Sequence, residues 1–133
     1  MEGEKKKILI VDDDNFLLDM YALKFSQNNF EVYAVSGGKQ VIEKLKGGLK
    51  VDVILMDIIM PEMDGFEMLS KINDQKLATD SVKIVLSNKS QQSDIEQGKI
   101  LGVAGYIVKA NSTPAEVIEQ VIQILSKKDS ITK

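Results

Sequence analysis

Five short, mostly apolar runs, each followed by a longer stretch with helical spacing, leave this chain few folds to adopt. The runs are Ile8–Val11, Glu31–Val35, Val51–Met56, Val82–Leu86 and Gly105–Val108. A wholly apolar run such as Ile8-Leu9-Ile10-Val11 suits a strand buried on both faces, because successive side chains point to opposite sides. Between the runs the period changes. Over Asn15 to Asn28, Leu18, Tyr21 (or Ala22) and Phe25 recur at three- and four-residue steps, with Phe16 just before them, which predicts a helix with those residues as its buried stripe. Val41, Ile42 and Leu45 mark a short helix from Lys39 to Lys46 that stops at Gly47-Gly48. A third helix opens at Gly65 and runs to Ile72. The fourth, Ser90 to Leu101, carries Gly98 in its interior at a cost of about 1 kcal/mol relative to Ala. The fifth has a clear start: Thr113 as N-cap, Pro114 in the first position and Glu116 completing a capping box, with Val117, Val121, Ile124 and Leu125 as its buried face. Five strand–helix pairs joined by right-handed crossovers make an α/β fold, a doubly wound five-stranded parallel sheet with helices on both faces. The reading is one domain over residues 1–133, with a core from about 5 to 127 and a polar tail from 128 to 133.

Composition removes several classes of function. A chain of 133 residues buries roughly two-thirds of its unfolded surface. Net charge is −3 and every basic residue is Lys, so neither a basic field nor the bidentate fork of Arg is available for nucleic acid. There is no Cys and no His, which excludes disulfides, thiolate zinc sites and an internal phosphohistidine. Lys5, Lys6 and Lys7 precede only four apolar residues, whereas a membrane span needs about 20. The expectation is a cytoplasmic chain that contacts neither membrane nor, by itself, nucleic acid.

The chemistry sits where the strands stop. Open α/β sheets bind ligands outside the carboxyl ends of their strands. Strand one ends in Asp12-Asp13-Asp14, strand three in Asp57, strand four in Ser87 and strand five in Lys109. Two like charges about 5 Å apart repel by roughly 3 kcal/mol at an effective dielectric of 20. Gathering Asp12, Asp13 and Asp57 in one crevice therefore needs an offsetting charge, and an all-oxygen site suits Mg²⁺. Capping of the first helix is the other use for these aspartates, and Asp14 fits that role. Asp57 is a carboxylate able to act as a nucleophile without a general base. Lys109 supplies a point charge for a phosphoryl oxygen, and pairs with Asp57 at rest. Ser87 offers a hydroxyl to the same oxygens.

Taken together, Ile8–Asp13 (ILIVDD), Ile54–Asp57 (ILMD), Met60–Gly65 (MPEMDG), Ile84–Ser87 (IVLS) and Gly105–Lys109 (GYIVK) resemble the receiver domains of two-component response regulators over about residues 5 to 127. The resemblance implies a flavodoxin-like sheet of strand order 2-1-3-4-5. It implies that Asp57 is the phosphorylation site, that Asp13 ligates Mg²⁺ (or Mn²⁺) directly with Asp12 assisting through water, and that Asp57 and the backbone carbonyl of Ile59 complete the metal site. Lys109 is then the phosphate-pairing Lys, Ser87 the hydroxyl that moves toward the phosphate, and Tyr106 the aromatic switch. The implied donor is a histidine kinase or histidine phosphotransfer protein. The implied output is a downstream protein bound at the face of helix four, strand five and helix five, on a monomer or weak dimer.

The chain departs from the family pattern in places. Ala110 follows Lys109 where Pro is usual, and that peptide is often cis in the family. Ile59 places an apolar side chain beside the acceptor, with Lys89 nearby, which implies an altered lifetime of the phosphoryl group. Two other readings stay open on sequence alone. Asp12-Asp13-Asp14 contains the Asp-x-Asp of haloacid-dehalogenase-like phosphatases, though Phe16 stands where they carry Thr or Val. A receiver that only binds proteins is the other, and it would normally lack the acceptor, acid pair or Lys.

Overall fold

The computed structural model describes residues 4–131, with side chains through Lys128. Five strands alternate with helices: β1 (Lys6–Val11), α1 (Asn15–Gln27), β2 (Phe30–Val35), α2 (Gly38–Lys46), β3 (Val53–Met56), α3 (Gly65–Asp74), β4 (Val82–Ser87), α4 (Gln92–Ile100), β5 (Gly105–Val108) and α5 (Pro114–Ile131). A 3₁₀ turn over Lys109–Asn111 joins β5 to α5. All strand pairs are parallel and the order is β2-β1-β3-β4-β5, as the family resemblance implies.

Strand alternation sorts the core into two layers. Ile8, Ile10, Val53, Leu55, Ile84, Leu86 and Ile107 face α1 and α5, where Leu18, Tyr21, Phe25, Val117, Val121 and Leu125 meet them. Leu9, Val11, Ile54, Met56 and Val85 face α2 and α3. Phe25 and Phe30 close the first layer with an edge-to-face contact at 5.1 Å, worth about 1 kcal/mol beyond area burial. Among the described residues no helix is long and apolar enough to cross a membrane.

Several boundaries and faces differ from the sequence reading. Phe16 is 78% exposed, and the buried residues of α1 are Leu18, Tyr21 and Phe25, with Leu17 and Met20 partly buried against the same core. Asp14 is the N-cap, accepting the Leu17 N–H at 3.2 Å, and Phe16, two residues before Leu18, falls about 160° around the helix from it and faces out. Val51 is buried but precedes β3, and α4 begins at Gln92 rather than Ser90. On α5, Ile118 is buried while Ile124 is only half-buried. The predicted capping box is present, with Thr113 N–H donating to Glu116 Oε1 at 2.8 Å and Glu116 N–H to Thr113 Oγ1 at 3.2 Å. α5 continues to Ile131 through residues read as a polar tail; the last two of that stretch lie outside the described residues.

Candidate functional site

The site forms at the carboxyl edge of the three central strands. β1 and β3 are neighbours in register, Val11 opposite Met56, so the residues that follow them, Asp12 and Asp57, come out side by side. Both are buried, while Asp13 is exposed. A carboxylate oxygen from each of the three lies within 4.8 Å of the others.

Lys109 reaches across from the end of β5. Its ammonium donates to Asp12 Oδ2 at 2.7 Å and to Asp57 Oδ2 at 2.8 Å. The sequence reading has the second contact only; the first joins residues 97 apart, beyond any local pattern. The other oxygens are fixed by backbone. Asp57 Oδ1 accepts from Ile58 N–H at 2.7 Å and Ile59 N–H at 3.2 Å, and Asp12 Oδ1 accepts from Asp14 N–H at 2.9 Å. Burial raises the Asp12 carboxyl above its ordinary value, and the bond from Lys109 recovers only part of that. Burial alone would lower Lys109, but its bonds to Asp12 and Asp57 outweigh this and hold the ammonium above its ordinary value. Three carboxylates against one ammonium leave two formal negative charges uncompensated.

That donor set fits a divalent cation: all oxygens, converging, with a charge deficit of the matching size. Asp13 is reachable from solvent, beside a cleft of about 540 Å³ lined by Asn15, Ser36, Gly38 and Pro61. Asp57 and Lys109 stand outside its walls.

Ser87 and Tyr106 do not bond to the acid cluster among the described residues; they meet at Lys89. The Lys89 N–H donates to Ser87 Oγ at 3.2 Å, and the Lys89 carbonyl accepts from the Tyr106 hydroxyl. The Tyr106 ring packs against Gly98 of α4, where a β-carbon would lie 3.3 Å from Tyr106 Cδ2. Gly98 is thus explained by a close approach. Burial, then the charges of Asp94 and Asp57, push the Tyr106 phenol up to about 12. Ile59 is 59% exposed beside the acceptor carboxylate.

Sequence reasoning missed two further participants. Gly65 reads there as a helix start and the end of the MPEMDG motif, with no contact to the acceptor, yet its N–H donates to Ile58 O at 2.9 Å and a β-carbon would lie 2.4 Å from the Asp57 carbonyl oxygen. Asn88 attracts no attention after strand four, yet its Oδ1 accepts the Ala110 N–H at 2.8 Å. No described peptide bond is cis, Lys109–Ala110 included.

A family model for the response regulator receiver domain matches residues 8–122. The response regulator SaeR of Staphylococcus aureus is 30% identical over 120 residues, covering 90% of this chain and 50% of that protein. The chain thus spans about half the length of the curated relatives it matches. A CheY-like receiver domain protein from Methanospirillum hungatei superposes with a TM-score of 0.86 at 24% identity, over 96% of this chain and 98% of that one. A response regulator receiver domain of Francisella gives a TM-score of 0.81 at 25% identity, over 93% and 99% of the two chains. The match to the receiver domain over residues 8–122, and not any difference in how the Asp12 and Asp57 carboxylates are held, sets the phosphatase-like reading of Asp12 aside. This chain belongs to the response regulator receiver domain family, and is a signalling domain of two-component systems.

Proposed function

We propose that Asp57 accepts a phosphoryl group from a phosphohistidine on a histidine kinase or histidine phosphotransfer protein. The observation that carries this reading is the convergence of Asp12, Asp13, Asp57 and Lys109 on one crevice with a net deficit of positive charge. An Asp57 carboxylate oxygen attacks phosphorus; the new P–O bond forms as the P–N bond to the donor imidazole breaks, and the imidazole leaves with its electron pair. Asp13, Asp57 and the carbonyl of Ile59, with Asp12 through water, would hold Mg²⁺ or Mn²⁺. Bound there, the cation neutralises charge on the phosphoryl oxygens during in-line transfer. Lys109 passes from Asp57 Oδ2 to a phosphoryl oxygen. The Asp57 Oδ1 bonds to Ile58 and Ile59 hold the carboxylate in one orientation. In a separate step water attacks the phosphorus, the P–O bond to Asp57 breaks with its electron pair going to the carboxylate, and inorganic phosphate leaves.

The output follows from Lys89. A Ser87 hydroxyl drawn toward the new oxygens changes its bond with the Lys89 N–H, and the carbonyl of that same residue holds Tyr106. Tyr106 in turn packs on α4, so the face of α4, β5 and α5 reports the state of Asp57 to a downstream protein. Moving such a face from 1:99 to 99:1 takes about 5.5 kcal/mol, the order that a dianion with charge-assisted bonds supplies.

The test is incubation with acetyl phosphate and Mg²⁺ followed by intact-mass measurement. Wild type gains one phosphoryl mass, and Asp57→Asn or added EDTA prevents it. Equal labelling of Asp57→Asn, or none of wild type, rejects the proposal.

A further inference from the structure

The β4–β5 ladder ends at the pair Ser87 and Val108, and the next residues along would be Asn88 and Lys109. In a parallel ladder the N–H one residue past a pair donates to the carbonyl of the opposite partner. Here the Ala110 N–H does so to a side chain, Asn88 Oδ1, at 2.8 Å. The amide oxygen of Asn88 thus stands in for a backbone carbonyl and adds one rung past the strand end.

We infer that Asn88 is a positioning residue that sets Lys109 and Ser87 relative to one another for phosphoryl transfer. Lys109 has the last ladder pair on one side and this rung on the other, so its Cα is held at both neighbours. From that anchor its side chain must span to Asp12 at 2.7 Å and Asp57 at 2.8 Å together. Ser87 precedes Asn88, so the same rung fixes the hydroxyl and the ammonium that converge on one phosphoryl group. The rung depends on Ala110: a proline there has no N–H to give. The chain has a donor at this position and a matching acceptor 22 residues earlier. Asn88 and Ala110 are both exposed, so the rung does not serve burial of the core.

The inference rests on Asp57 as the phosphoacceptor, and the experiment separates the two. Amide hydrogen exchange is followed by NMR in magnesium-free wild type, Asn88→Leu and Asn88→Asp. The Ala110 amide is protected in wild type, exchanges roughly fivefold faster in Asn88→Leu, and stays slow in Asn88→Asp, which keeps the acceptor oxygen. In parallel, phosphorylation by acetyl phosphate with Mg²⁺ slows by at least about threefold in Asn88→Leu, since misplaced groups cost rate more than binding. An unprotected Ala110 amide in wild type overturns the inference, as does an Asn88→Asp that exchanges like Asn88→Leu. Wild type that takes no phosphoryl group sinks both readings; wild type and Asn88→Leu labelling at one rate sink this one alone.

Discussion

Gly65 and Asp57 touch through their backbones: a β-carbon on Gly65 would lie 2.4 Å from the Asp57 carbonyl oxygen and 2.9 Å from Ile58 Cα. The Ile58 Cδ1 tip, at 2.7 Å, can turn aside, but these two backbone atoms cannot, so α3 or the acceptor strand must move. Gly65→Ala is expected to cost at least about 2 kcal/mol in denaturant unfolding, at the upper end for overpacking. It also slows acetyl phosphate labelling, because the strand end that shifts is the one carrying Asp57. A variant with wild-type stability and labelling would show that the contact relaxes without effect.

The clustered acids give a sign reversal to test. Without a cation, Asp13 adds a like charge within 4.8 Å of Asp12 and Asp57, while Lys109 offsets only one. In EDTA, Asp13→Asn is therefore expected to be no less stable than wild type. With Mg²⁺ at a hundredfold excess over its dissociation constant, wild type gains about 2.7 kcal/mol and the variant gains less. Thermal midpoints with EDTA, Mg²⁺ and Mn²⁺ measure both directions. An unchanged wild-type midpoint in Mg²⁺ would remove the metal from the proposal.

The site residues are legible because the central strands are mostly apolar and the chemistry begins at the polar residue where each one stops. Asp12, Asp57, Ser87 and Lys109 could be named from that alone, and the sheet order came with the family resemblance. Phe16 shows how a stripe can be overread: it is apolar, but it stands two residues before Leu18 and nine before Phe25, about 160° and 180° around the helix from them, so it faces out. α4 offers the least apolar signal. Its buried residues are Asp94 and Gly98, so no apolar stripe exists to be read. The Lys109–Asp12 pair, the Asn88–Ala110 rung and the Gly65 contact join distant segments, and only the folded sheet juxtaposes them.

Alkaline pH should expose Tyr106. Its phenol is raised from 10.0 to about 12 by burial first, then by Asp94 and Asp57. The unfolded chain gives up this proton near 10 while the fold keeps it. The contribution to stability is therefore full below 10 and disappears as pH climbs through about 12. Lys109, raised above 10.5, acts in the same direction, whereas Lys83, lowered by burial, acts in the opposite one. Tyr21 and Tyr33 are also raised and are common to wild type and variant. In Tyr106→Phe, the urea midpoint should fall less steeply between pH 10 and 12 than in wild type. Parallel curves would mean that Tyr106 titrates like a free phenol.

Asp94 is the hold on α4. It is buried, its Oδ2 accepts the Gln91 N–H at 3.0 Å, and its Oδ1 sits 3.4 Å from Lys89 Nζ. A helix without a buried apolar side chain depends on its first turn, and loss of such a cap costs about 1 kcal/mol. The consequence runs further than stability, because Lys89 is also the residue that holds the Tyr106 hydroxyl. Asp94→Ala is expected to lose about that 1 kcal/mol and to bring the Tyr106 midpoint down from about 12, since both the charge of Asp94 and the enclosure by α4 are withdrawn. Asp94→Asn keeps the acceptor oxygen for Gln91 and removes only the charge, so the phenol shifts less and α4 stays capped. Phenolate absorbance of the three proteins, with Tyr106→Phe as the blank, reads the effect directly. If Asp94→Ala leaves that midpoint where wild type has it, α4 is held to Tyr106 by something other than Asp94, and the route from Ser87 through Lys89 to the helix loses its last link.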